Sequence, residues 1–192
     1  MKSRGFAILL IMVMLLTFTQ ALSAQTRYEL QAPYNTNLRI LIAKSQIGIR
    51  EETNQSQILN YLRSVNINRM ASWCAAFQYW VYDSACRQIK VVNSLPKSAV
   101  ANSYYDFGKR NGLRTTYQAR PGDLIVWKSD SWSGHIGMVI RQLSKQTVET
   151  IEGNTSSKSV RTGGAVESKV RSIYHPIGKL KVRGLIGFAN GR

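Results

Sequence analysis

The sequence predicts an α+β domain in which helices come first and an antiparallel sheet follows. Up to about residue 110, apolar residues recur at helical spacing, as at Ile58, Leu59 and Leu62. From Pro121-Gly122, a type II turn signature, the period shortens to that of strands. Helices grouped ahead of strands mark α+β architecture, as opposed to alternating β and α units. The 192 residues suit one domain, and 44% apolar with 19% charged residues excludes a wholly disordered chain.

The chain opens on Lys2 and Arg4, an unbroken run of eleven apolar residues (Phe6 to Leu16), and then Ala21-Leu22-Ser23-Ala24. A charged start, a short apolar core and small residues at the end form a secretory signal peptide over residues 1–24, with cleavage expected after Ala24. The apolar run is shorter than the ~20 residues of a spanning helix. The expectation is therefore a periplasmic or secreted protein, with no membrane attachment after cleavage. Residues 25–34 form a short lead-in, and 35–192 a single domain.

Within that domain, Asn35 to Ser45 is a first helix, and Gln46 to Arg50 turns the chain into a second over Ser56 to Ser64. Trp73 to Gln88, free of Gly and Pro and apolar nearly all round, is a long central helix. Lys97 to Lys109 is a fourth, ended by Asn111-Gly112. Strands are expected at Asp123 to Lys128, His135 to Leu143, Gln146 to Glu152, Glu167 to Ile173 and Lys181 to Phe188.

Charge narrows the partners without choosing one. Lys and Arg number 26 against 10 Asp and Glu, a net +16. Removing Lys2 and Arg4 leaves 24 against 10, or +14. Such a balance suits a polyanionic partner, either nucleic acid or an anionic envelope. Export and aromatics placed in apolar helices and strands speak against nucleic acid.

Cys74 and Cys86, the two cysteines, both fall in the central helix. Twelve residues at ~1.5 Å rise set them ~18 Å apart, beyond the roughly 7 Å a disulfide spans. An exported chain thus keeps two free thiols. Cys74 lies in the first turn, where unsatisfied N–H groups and the helix dipole favour a thiolate. Cys86, near the C-terminus, lies in the opposite field. A buried core thiol is the ordinary alternative for either.

A thiol nucleophile needs a base, and the chain offers His135 and His175. His135 opens a strand, with Gly137 leaving space on the same face; His175 precedes Pro176 in a basic loop and reads as surface. A zinc site from both cysteines and both histidines fails, because spacings of 12 and 40 match no finger or ribbon. No cofactor is called for. Period two on Gln146 to Asn154 sets Thr150, Glu152 and Asn154 on one face, so either Glu152 or Asn154 could accept the histidine Nδ1–H. Trp132, and Trp73 beside the nucleophile, are candidates to line a substrate groove, whereas Trp127 reads as core.

Four blocks occur in order: Trp73-Cys74-Ala75-Ala76-Phe77, Pro121-Gly122-Asp123-Leu124-Ile125-Val126-Trp127, Gly134-His135-Ile136-Gly137-Met138-Val139 and Glu152-Gly153-Asn154-Thr155. From about Ile47 to Phe188 the chain resembles the CHAP family of cysteine, histidine-dependent amidohydrolases and peptidases. That resemblance implies a papain-like core, Cys74 as nucleophile, His135 as base, and Glu152 with Asn154 as polar partners. It also implies a peptidoglycan substrate, cut by an N-acetylmuramoyl-L-alanine amidase or a stem or cross-bridge endopeptidase. Other readings are a non-catalytic envelope-binding module, a secreted cysteine peptidase acting on protein, and a basic nucleic-acid binder. No recognisable wall-binding module accompanies the domain.

Overall fold

The computed structural model describes residues 36–130, 133–155 and 164–187. The expected signal peptide, the lead-in and Trp132 lie outside the described residues. Among the described residues four helices precede the sheet: α1 (36–45), α2 (Gln55–Ser64), α3 (Cys74–Gln88) and α4 (Ala101–Arg110). The strands are β1 (Arg114–Thr116), β2 (Leu124–Lys128), β3 (Gly134–Gln142), β4 (Thr147–Thr155), β5 (Ala165–Ser172) and β6 (Lys181–Gly187). No helix among the described residues is long and apolar enough to cross a membrane.

The sheet has six strands in the order β1-β6-β2-β3-β4-β5, and every pairing is antiparallel. Strands β2 to β5 form a meander; β6 returns to the free side of β2. The alternation of side chains splits the interior into two layers. Leu124, Val126, Ile136, Met138, Ile151 and Ile186 join the helices in one core. Ile125, Trp127, Val139, Val148 and Leu185 form a second on the opposite face, with Ile173 and Ala119. Strand β2 is thus buried on both faces, which explains why its sequence reads as an unbroken apolar run.

Tyr61 of α2 packs against Trp73, Phe77 and Trp80 at ring-centroid distances of 5.7, 5.2 and 5.0 Å, joining α2 to α3. The Gln78 side-chain amide of α3 donates to the Ile151 carbonyl of β4 at 3.0 Å. Just beyond it, a Cβ on Gly153 would come within 2.7 Å of Trp73 and 2.8 Å of Phe77. Helix and strand therefore touch through a position that admits no side chain.

Besides shifts of one to three residues at strand ends, such as β4 running on from Glu152 to Thr155, two features differ from the sequence reading. Helix α4 begins at Ala101 instead of Lys97, because the Ser98 hydroxyl accepts the Val100 N–H at 3.0 Å and Val100 is extended. Strand β1 was not expected. It spans three residues, with no alternation to betray it, and forms by pairing with β6. The Pro121-Gly122 turn is as expected: Asp123 N–H donates to the Arg120 carbonyl at 3.0 Å, and Gly122 takes φ +86°.

Candidate active site

Cys74 is the first residue of α3, and Trp73 offers no side-chain cap. The first backbone bond of the helix runs from Phe77 N–H to the Trp73 carbonyl at 2.9 Å. The N–H groups of Cys74, Ala75 and Ala76 consequently have no acceptor within the helix. Both Cys74 and Cys86 are buried and unpaired, as their placement on one helix requires.

Three predicted residues come together at this helix end. The Cys74 thiol faces the ring of His135 on β3, near enough to act on its charge. The opposite side of the ring, Nε2, lies 2.8 Å from Glu152 Oε2 on β4. This corrects one expectation: the carboxylate takes Nε2, leaving Nδ1 for the thiol. The space that Gly137 opens is filled by that same glutamate, since a Cβ at position 137 would fall 2.7 Å from Glu152 Cγ.

Asn154 does not join them. The β4–β5 register shifts between Glu152 and Thr155, and Asn154 takes φ +54°. One extra residue on β4 breaks the period-two alternation that placed Glu152 and Asn154 on one face. Among the described residues the Asn154 Oδ1 has no hydrogen-bond partner. Trp73 is also relocated: it is fully buried between Tyr61 and Phe77, so it cannot line a groove. Its indole N–H points instead to Glu51 Oε2 at 3.4 Å.

Glu152 is wholly buried and holds more than the histidine. Thr150 Oγ1 donates to Oε1 at 2.6 Å; Arg171 of β5 donates through Nε to Oε1 at 2.7 Å and through Nη2 to Oε2 at 2.6 Å. Trp127 packs beside the imidazole, ring centroids 5.7 Å apart, and the Arg171 guanidinium lies 5.9 Å from the same indole. Sequence reasoning missed Thr150 and Arg171. Thr150 had a signal, sharing the face of Glu152 by alternation. Arg171 had none, being one charged residue among Glu167, Lys169 and Arg171 on a polar strand.

These contacts set the charges. Burial opposes ionisation of Glu152, yet the hydrogen bonds and charges of Arg171 and His135 prevail and draw its carboxyl from 4.5 to about 2. Burial likewise works against a charged His135. Interactions with Cys74 and Glu152, with the Glu152 charge, outweigh it and push the ring up to about 10. The arrangement is a thiol at a helix N-terminus facing an imidazole that favours its protonated form. Among the described residues no group of three or more His, Cys, Asp or Glu is placed to hold a metal ion.

Residues 66–154 match the family model described as CHAP domain. The chain carries a CHAP domain. The match runs from the approach to α3 through Asn154, so it takes in Cys74, His135 and Glu152 and stops short of Arg171. No curated protein and no solved structure matches the chain at a significant level. CHAP domains are generally hydrolases of the amidase and peptidase type that act on peptidoglycan.

Proposed function

We propose that the protein is an exported cysteine hydrolase that cleaves an amide bond in peptidoglycan. The observation that carries this reading is the position of His135, bridging the Cys74 thiol at the head of α3 and the ionised, buried Glu152. His135 holds the thiol proton on Nδ1, and the Cys74 thiolate attacks the scissile carbonyl. Negative charge forming on the carbonyl oxygen is met by the free N–H groups of the first helical turn. The Nδ1 proton passes to the departing amine as the C–N bond breaks, leaving a thioester. Water, deprotonated by Nδ1, then releases the acid and restores the thiol. Glu152 keeps the proton of Nε2 in place throughout.

Location outside the cytoplasmic membrane, periplasmic or secreted, is supported by the charged, apolar and small-residue pattern of residues 1–24. The net positive charge suits an anionic envelope.

The test is incubation with purified sacculi and mass spectrometry of the released fragments, beside Cys74→Ser. New termini made only by the wild type are expected. Free lactyl groups would identify an amidase and shortened stems an endopeptidase. No release from walls of several chemotypes would overturn the reading.

A further inference from the structure

We infer that Arg171 is a positioning residue of this site, a fourth member that neutralises Glu152 and fixes which nitrogen of His135 carries its proton. It rests on Cys74 and His135 acting as nucleophile and base, but its principal readout, the reactivity of Cys74, requires no wall substrate.

A carboxylate offers about four acceptor positions. At Glu152 all four are taken: Oε1 by Thr150 Oγ1 and Arg171 Nε, Oε2 by Arg171 Nη2 and His135 Nε2. A carboxylate with two guanidinium N–H donors cannot itself serve as a donor, so Nε2 must present its hydrogen. Nδ1 is then the basic nitrogen of the neutral ring, and it is the one left for Cys74. The tautomer is set from β5, two strands away from the histidine.

Charge gives the second half of the argument. With the thiol proton on His135, four ionised groups alternate in sign: Arg171, Glu152, His135 and Cys74. Their sum is zero. Without Arg171 the remaining three sum to −1, with Glu152 fully buried and the Arg171 and His135 side chains only 18% and 13% exposed. An uncompensated buried charge is costly, and the thiolate is the charge that can be given up by protonation. The side chain is well held for this task, by the fork on Glu152, a weaker contact to Thr155 Oγ1 at 3.4 Å and its place beside Trp127. Lysine would keep the charge and lose the fork.

The experiment is alkylation of Cys74 by iodoacetamide as a function of pH in the full chain, read by mass spectrometry with fragmentation to separate Cys74 from Cys86. Wild type, Arg171→Lys and Arg171→Met are compared, with circular dichroism as the check on folding. The midpoint of Cys74 alkylation should rise by about one pH unit or more in Arg171→Met. Arg171→Lys should rise by less, and on sacculi its kcat should fall several-fold at unchanged KM, since Arg171 is engaged with Glu152 behind the imidazole. A folded Arg171→Met with the wild-type midpoint overturns the inference. Should Arg171→Met not fold, a wild-type midpoint and wild-type kcat in Arg171→Lys overturn it instead. A shifted midpoint in a protein that leaves sacculi intact supports the role of Arg171 while removing the wall substrate.

Discussion

The two ends of α3 carry the same residue type in opposite circumstances. Cys74 and Cys86 are both buried, unpaired and on one helix. Cys86 lies near the carboxyl end, where burial, with Asp83, pushes its thiol up against the partial relief of Arg39. Cys74 sits where helical N–H groups are free and an imidazole is close. Burial is shared and therefore does not separate the two; what faces the sulfur does. The strand β4 repeats the lesson with carboxylates. Glu149 and Glu152 are each paired with an arginine, at 2.6 Å in both cases. Arg141 is exposed and Glu149 half-buried, whereas Glu152 is sealed and shared with a histidine.

The strongest way to break the comparison is Cys74→Ser, which should lower hydrolysis by 10⁴-fold or more (on the order of what losing a nucleophile costs) with an unchanged thermal melt. Wild-type turnover would remove Cys74 from the mechanism. Next is Gly137→Ala, whose methyl would drive into Glu152, a side chain pinned by four hydrogen bonds and unable to yield. Activity should fall by about 10²-fold, and stability by roughly 1–3 kcal/mol, read by denaturant titration.

Glu152→Gln tests the electrostatics, with a loss of about 10²-fold in kcat. Without the carboxylate, His135 falls back from about 10 towards 6.5, so the alkaline limb of the pH–rate profile should move to lower pH. Stability has its own sign. A carboxyl held below its ordinary value stabilises the fold above pH 4.5, and that contribution is lost as pH falls towards 2. A raised imidazole stabilises below pH 6.5 and ceases to do so as pH rises through about 10. The gap in melting temperature between wild type and Glu152→Gln should thus narrow at both extremes; a gap constant from pH 2 to 10 would contradict the ionised pair. The smallest effects belong to Cys86→Ala and Glu149→Gln, each expected within twofold of wild-type activity. If Cys86→Ala inactivates a folded protein, the wrong thiol has been chosen.

Legibility in the sequence followed the range of the interaction. Cys74 could be read from the start of a helix, and His135 from having a single competitor. The α+β order and five of six strands came from periodicity, because β2 and β3 bury enough side chains to impose it. The choice between Glu152 and Asn154 could not be read, since the extra residue that turns Asn154 away belongs to the pairing with β5 and leaves no mark in composition. Trp73 looked like a groove residue because it adjoins Cys74; Tyr61, remote in sequence, encloses it. Arg171 was the least legible, its meaning residing wholly in a neighbouring strand.

Gly153 has a consequence for how the molecule fails. The side chains of Trp73 and Phe77 press directly on the strand backbone there, and Gln78 bolts the helix to Ile151 one turn from Cys74. The thiol and its partners are thus mounted on a closely packed helix–sheet seam and not on a separately opening flap. Partial opening, which in many proteins silences a site well before the whole chain melts, has little to act on here. On heating, catalysis and near-ultraviolet circular dichroism should disappear together, in a single step.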